Sequence, residues 1–209
     1  AQNLNAPKIL KKAPRILTVE EIEVLLSLPD DSPKGLRDKA MLEFLYATGL
    51  KVTELIELKL SDLFFKENEQ FIRVIGKGNK QRIVYLNTAC REALADYYSE
   101  RLGEKHANIS ERALFLSNRN QRISVKTVQW LVYKYLDMAG LGSKHYSVHK
   151  LRHTAATLML NNGVDIRTLQ DVLGHENLGT TQIYTHISDA NMKMAVDANP
   201  LAKVKKNEE

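Results

Sequence analysis

The 209-residue chain is 44% hydrophobic and 26% charged, proportions that are ordinary for a folded domain and exclude a disordered or collagen-like protein. Charged residues interrupt every apolar run well before the ~18 residues that a membrane-spanning helix needs. The one cysteine, Cys90, cannot form an internal disulfide, which favours a reduced, cytoplasmic location over secretion.

Positive charge is concentrated at the start of the chain. The net charge is +5, and residues 1–16 contain no acid but four basic residues, namely Lys8, Lys11, Lys12 and Arg15. Pro7 and Pro14 among them predict an extended linker. A basic arm beside a nearly neutral body suits a polyanionic partner, although a solvated tail explains it about equally well.

Capping residues and helical apolar spacing predict a mainly α-helical chain. Thr18 followed by Glu21 forms a capping box, which begins a helix that ends near Pro29. Further helices are predicted over residues 36–48, 52–58, 88–102, 125–138, 148–161 and 166–172, the last two capped by Ser147 and Asp165.

One hairpin interrupts the helices. Residues 71–75 and 82–86 are β-prone and flank the segment Gly76-Lys77-Gly78-Asn79-Lys80. Glycines at these positions favour a tight turn, which would hold Lys77 at the tip of the hairpin. The predicted fold class is therefore α+β, mainly α-helical with a small antiparallel β-sheet.

The last third of the chain carries the residues with the clearest chemistry. His149, Arg152 and His153 share one helical face, although a solvated basic face has the same spacing about as often. His175 follows a glycine, and Tyr184 lies nine residues later. A guanidinium matches two phosphate oxygens, an imidazole moves protons near neutral pH, and a phenol can form an ester. The ordered set suggests phosphate chemistry with tyrosine as the nucleophile.

A metal site is the less favoured interpretation of the same residues. His149 and His153 have the four-residue spacing of a zinc-binding helix, but Lys150 stands where the metallohydrolase pattern requires glutamate. Arg152 would also repel a cation. We therefore predict no metal and no other cofactor.

Five segments in order carry a family resemblance, which covers nearly all of residues 15–195. They are Thr48-Gly49-Leu50-Lys51-Val52-Thr53-Glu54-Leu55, Gly76-Lys77-Gly78-Asn79-Lys80, His149-Lys150-Leu151-Arg152-His153-Thr154, Leu173-Gly174-His175 and Thr181-Gln182-Ile183-Tyr184-Thr185-His186. The chain resembles the tyrosine site-specific recombinases, which include phage integrases and bacterial Xer recombinases. The resemblance implies that family's catalytic domain at residues 17–187.

The resemblance also implies what flanks this domain. Residues 1–16 would be the linker from an N-terminal core-binding domain that closes a clamp around DNA. Residues 188–209 would form a tail that packs on a neighbouring protomer, because Met192, Met194, Ala195 and Val196 give it an apolar stripe. The same stripe could instead pack in the core of its own chain.

Site residues follow from the resemblance, position by position. The implied catalytic residues are Lys51, Lys77, His149, Arg152, His175 and Tyr184, with Glu54 and His153 in supporting roles. Tyr184 would form a 3′-phosphotyrosyl ester with a DNA strand, and Glu54 would orient the cationic group at position 51. Apart from the resemblance, positive charge predicts DNA contacts at Lys8, Lys11, Lys12, Arg15, Lys80, Arg82, Lys126 and Lys144, although at the last four a solvated side chain is an equally good interpretation.

Position 51 departs from the family pattern, which has arginine there. Lysine keeps the positive charge but loses the two-pronged contact with phosphate. The main hypothesis is a recombinase that works on double-stranded DNA sites as an oligomer, a tetramer on paired sites. Two alternatives are a DNA-binding relative whose chemistry has lapsed and a metal-dependent phosphohydrolase built on His149, His153 and His175.

Overall fold

The computed structural model describes residues 16–66, 69–103, 112–174 and 196–198. Within these ranges the chain forms seven α-helices and three β-strands. The elements are α1 (Val19–Ser27), α2 (Pro33–Ala47), α3 (Val52–Glu57), β1 (Leu63–Lys66), β2 (Glu69–Ile75), β3 (Gln81–Tyr85), α4 (Thr88–Leu102), α5 (Val125–Met138), α6 (Val148–Asn161) and α7 (Ile166–Leu173). The predicted α+β class with a small antiparallel sheet is confirmed. None of the described helices is both long and apolar enough to cross a membrane.

Side-chain caps define several helix starts. Thr18 Oγ1 accepts from the Glu21 backbone N–H at 3.2 Å, and the Glu21 carboxylate accepts from the Thr18 N–H at 3.0 Å. Asp165 accepts from two backbone N–H groups of α7. Ser147 occupies the predicted N-cap position of α6, but its side chain makes no capping hydrogen bond.

Helix α2 lies at the centre of the core, packed against α4 and α6. It begins three residues before the predicted start, because Ser32 Oγ accepts from the Gly35 N–H at 3.1 Å and Pro33 occupies the first helical position. Its apolar residues Met41, Leu42, Phe44 and Leu45 are all buried. The helix is followed by a left-handed turn at Gly49, where φ is +61°.

Buried ionic groups also lie in α2. Arg37 Nη2 and Asp38 Oδ1 form an ion pair at 2.8 Å, and both side chains are buried. The Tyr135 hydroxyl of α5 donates to Asp38 Oδ2 at 3.1 Å. This network connects the second turn of α2 to α5.

The three strands form an antiparallel sheet in the order β1-β2-β3. Strand β1 was not predicted, because four residues are too few to show an alternating pattern. In β3 the side chains alternate, with Arg82 and Val84 buried while Gln81 and Ile83 are exposed. The arginine of this strand therefore faces the interior, and the isoleucine beside it faces solvent.

The first described residues are fixed to the helix that carries Arg152. Leu17 N–H donates to Thr154 Oγ1 of α6 at 3.1 Å, and both residues are fully buried. The Tyr146 hydroxyl donates to the Ile16 carbonyl oxygen at 3.3 Å. Helix α6 is thus held by the N-terminal side of the domain as well as by α2.

Candidate active site

Arg152 connects two of the segments that carry predicted catalytic residues. Its Nη1 donates to the carbonyl oxygen of Gly49, and its Nη2 donates to that of Leu173 at 2.7 Å. Burial lowers the pKa of Arg152, an effect that Glu54 opposes and Arg82 adds to. The guanidinium is half-buried, and two backbone carbonyl groups fix it. One belongs to the residue two positions before Lys51, and the other to the residue two positions before His175.

Lys51 occupies the N-cap position of α3, directly after the turn at Gly49 and Leu50, and its side chain is exposed. Its backbone N–H donates to Glu54 Oε2 at 2.9 Å. Glu54 therefore fixes the backbone at position 51. The prediction that it orients the cationic group itself does not match this geometry, because the carboxylate has a different cationic partner.

That partner is Arg82 of β3. Arg82 Nη1 donates to Glu54 Oε1 at 2.8 Å and Nη2 donates to Oε2 at 3.0 Å. Arg82 is 8% exposed and Glu54 is 6% exposed. Burial acts to raise the pKa of Glu54, but the hydrogen bonds and charge of Arg82 outweigh it, so this pKa is lowered. The predicted phosphate contact at Arg82 is not supported, since its guanidinium is buried on a carboxylate.

The hairpin tip has its predicted place. Residues Lys77–Asn79 form a short turn between β2 and β3, with left-handed backbone at Gly78 and Asn79. The Gly76 N–H donates to the Lys80 carbonyl oxygen at 2.8 Å and closes the base of the tip. Lys77 therefore belongs to a turn whose base is hydrogen-bonded across the two strands.

The histidines of α6 lie on its exposed side. His149 and His153 are both exposed and one turn apart on the helix that carries Arg152. His175 and Tyr184 lie outside the described residues, as do the four cations predicted between residues 1 and 15. Within the described ranges, no three His, Cys, Asp or Glu side chains come together as a metal site would require.

The remaining predicted DNA contacts differ in their surroundings. Lys80 is exposed beside the hairpin tip, and Lys126 is exposed in the first turn of α5. Lys144 instead forms an ion pair with Glu21 of α1. A phosphate contact at Lys144 would have to compete with that carboxylate.

Comparison with known proteins shows which family the chain belongs to. The phage integrase family matches residues 15–191. The chain belongs to the phage integrase family. Tyrosine recombinase XerC of Caldanaerobacter subterraneus subsp. tengcongensis is 50% identical over 203 residues, which cover 97% of this chain and 56% of that protein.

Solved structures of recombinases have the same fold as this family member. The XerA recombinase matches with a TM-score of 0.69 at 36% identity, covering 86% of this chain and 63% of that chain. A pre-cleavage complex of the XerH site-specific recombinase bound to difH substrate matches with a TM-score of 0.69 at 27% identity, covering 83% and 51%. The chain thus spans between about half and two thirds of the length of these relatives.

Proposed function

We propose that this chain cleaves and rejoins DNA strands as the catalytic part of a site-specific recombinase, with residues 17–187 as the catalytic unit. The observation that carries the proposal is the position of Arg152, half-buried and held by the carbonyl groups of Gly49 and Leu173. These bonds fix one phosphate-binding guanidinium between the segments that carry Lys51 and His175. Family membership supports the same activity.

The proposed reaction exchanges one phosphoester for another. The Tyr184 oxygen attacks the scissile phosphorus, and the bond to the 5′ oxygen breaks, leaving a 3′-phosphotyrosyl ester. Lys77 gives the leaving oxygen its proton, while His149 accepts the proton of the phenol, whose ordinary pKa of about 10 keeps it protonated at neutral pH. The 5′-hydroxyl of a partner strand then attacks the ester and releases the tyrosine. No nucleotide hydrolysis is needed.

Negative charge on the phosphate oxygens is stabilised by fixed donors. Arg152 supplies a planar guanidinium whose orientation is set before DNA binds, because two backbone carbonyl groups already hold it. His175 supplies a second donor. Lys51 supplies a single positive charge, where the guanidinium of an arginine would make two hydrogen bonds to the phosphate. His153, exposed on the same face of α6 as His149, has the supporting role.

The proposed partners are a double-stranded recombination site and other recombinase protomers. The XerH structure is of a recombinase bound to difH substrate, which supports DNA as the substrate class. Assembly would bring four protomers to two paired sites, with the tail at residues 188–209 packed on a neighbour except at Val196, which is buried within its own chain. Exposed Lys80 and Lys126 and the basic residues of the first 16 positions would contact phosphates. A DNA substrate and a lone cysteine suit the cytoplasm.

Covalent capture tests the proposal. The protein is incubated with a pool of nicked duplexes that contain a randomised segment, and denaturing electrophoresis then separates covalent adducts for sequencing. We expect adducts enriched in one sequence, and none with Tyr184→Phe, which removes a hydroxyl and keeps the ring. Adducts formed by the Phe variant would overturn the assignment of the nucleophile.

Two outcomes would favour the competing functions. A DNA-binding relative with lapsed chemistry, which Lys51 favours, would bind one sequence tightly without forming adducts. A metal-dependent phosphohydrolase would release free ends and stop when a chelator is added, whereas side-chain catalysis should continue in excess chelator and without ATP.

A further inference from the structure

The ion pair between Glu54 and Arg82 lies where three parts of the candidate active site meet. We propose that this pair positions the cleavage machinery by joining the hairpin of Lys77, the backbone at Lys51 and the chain just before His175. Both side chains are buried, so their proposed role is to hold other groups in place. The inference rests on the proposed function, because it assigns the pair a role in that reaction.

The first link is to the hairpin. Arg82 lies on β3, two residues after the close of the tip, and its guanidinium makes two hydrogen bonds to Glu54 of α3. A Cβ built on Gly76 would lie 3.7 Å from Glu54 Oε1 and 3.8 Å from Arg82 Nη1, so the base of the tip rests on the pair. The strand that leads away from Lys77 is therefore bonded to α3 through side chains.

The second link is to the end of α7. Gly174 ends this helix in a left-handed conformation, with φ of +64°. A Cβ at this position would come within 2.7 Å of Arg82 Cζ and 2.9 Å of Nε, so the backbone there packs directly on the guanidinium. Gly174 directly precedes His175 in the sequence, so Arg82 contacts the last described residue before that predicted catalytic position.

The third link is to Lys51 and Arg152. Glu54 Oε2 accepts from the Lys51 backbone N–H at 2.9 Å as well as from Arg82. Both charges of the pair are also close enough to change the pKa of Arg152. The carboxylate balances the Arg82 charge, which leaves the charge of Arg152 to act on a phosphate.

Stability alone does not account for the pair. Buried ion pairs can often be replaced by neutral groups of similar shape without loss of stability, because both charges must be desolvated on folding. Arg82 Nε is in addition buried without a hydrogen-bond partner among the described residues, which is unfavourable for folding. A role in positioning explains why such a costly arrangement connects three catalytic segments.

The test separates positioning from stability with a neutral pair. In Arg82→Met combined with Glu54→Gln, no charge is left unpaired, and the amide oxygen of Gln can still accept from Lys51 N–H. The matched control is Arg37→Met combined with Asp38→Asn, a second buried pair with an ion-pair distance of 2.8 Å. It lies at the start of α2 and contacts none of the three catalytic segments through its described hydrogen bonds.

Three measurements are compared in the full chain: the urea midpoint, single-turnover cleavage of the nicked duplex obtained by covalent capture, and hydrogen exchange at residues 76–80. For the Glu54/Arg82 double variant we expect a folded protein, a cleavage rate lower by ~10²-fold, as misplacement of catalytic groups by about 1 Å typically causes, and faster exchange at the tip. The control pair should keep the wild-type cleavage rate and exchange.

Wild-type cleavage by the folded double variant would overturn the inference, and so would an equal loss in the control pair. Failure of the wild-type protein to form any adduct would contradict the proposed function instead. The exchange measurement needs no DNA, so unchanged exchange at residues 76–80 would then still contradict the positioning role.

Discussion

The backbone of Gly174 lies against the guanidinium group of Arg82, where a Cβ would come within 2.7 Å of Cζ. Gly140, between α5 and α6, also has a left-handed backbone, with φ of +73°, but nothing lies within 4 Å of its Cβ position. Both glycines have the left-handed backbone that disfavours a residue with a Cβ. Only at Gly174 would an added methyl group also clash with a neighbouring side chain.

Substitution by alanine should separate these two effects. Gly140→Ala should lower the free energy of unfolding by about 1 kcal/mol, the cost of a left-handed backbone in a residue with a Cβ. Gly174→Ala has the same cost and must also displace Arg82 from Glu54, so its loss should be larger and accompanied by slower DNA cleavage. Urea denaturation of the two variants measures the difference. Equal losses would show that Arg82 moves aside freely.

A buried carboxyl group in the core predicts how stability depends on pH. Glu43 of α2 is 6% exposed. Burial, opposed by Lys39 and assisted by Glu92, raises its pKa from 4.5 to about 7. A carboxyl group with a raised pKa favours the folded state while it is protonated, so this contribution is present below pH 4.5 and is lost as pH rises to about 7.

Glu43→Gln should remove this dependence, because the amide stays neutral. At pH 8 the variant should be more stable than wild type by up to about 3 kcal/mol, and at pH 4 the two should be similar. Urea midpoints at the two pH values measure the effect. Glu92→Gln, at an exposed position on α4, is the control and should change stability by less than about 0.5 kcal/mol. A variant that is no more stable than wild type at pH 8 would contradict the raised pKa.

Placing arginine at position 51, as the family pattern has it, should accelerate cleavage. Lys51 is exposed at the N-cap of α3, so Lys51→Arg has room to extend. The loss of one fixed donor typically costs ~10² to 10³ in rate, and the charge that lysine retains should reduce that cost, so we expect an increase at or below this range. Single-turnover cleavage of one nicked substrate by both proteins measures it. A slower Arg variant would mean that the site is adapted to lysine.

Salt dependence should reveal whether the basic arm contacts DNA. Each phosphate neutralised contributes a slope of about −0.9 in log affinity against log salt concentration. Replacing Lys8, Lys11, Lys12 and Arg15 by glutamine should therefore flatten the slope of nonspecific binding. The same change at Lys144, which pairs with Glu21, should leave the slope nearly unchanged. If the arm variant has the wild-type slope, the arm is a solvated linker.

Local signals predicted the helices well. The predicted ranges of α4, α5 and α6 match the structure at both ends, because a polar residue precedes each helix and a glycine follows within a few residues. The start of α2 was missed because its apolar periodicity begins after Ser32 and Pro33. Strand β1 was missed because its pairing with β2 is tertiary, and four residues carry too little pattern.

The role of Arg82 could not be predicted from local sequence. By polarity alone, Ile83 should face the core and Arg82 the solvent. Successive side chains of a strand point to opposite faces, so a register shifted by one residue reverses which of the two is buried. The observed orientation depends on Glu54, which lies 28 positions earlier in the chain and balances the buried charge. The sequence did offer one indication that Arg82 faces the core. Val84 lies two residues later, on the same face of the strand, and as an apolar residue it was expected to be buried, as it is.

The bond between Leu17 and Thr154 joins residues 137 positions apart, and the bond between Arg152 and Gly49 joins residues 103 positions apart. Neither can form until α6 has left the ribosome, and contacts of such long range form late because the intervening chain must first be ordered. The N-terminal half of the domain is therefore synthesised before its bonds to Arg152 and Thr154 can form. The Arg152 guanidinium can take its described position only after residues 49–173 have all been synthesised, because its two backbone partners lie at the two ends of that stretch.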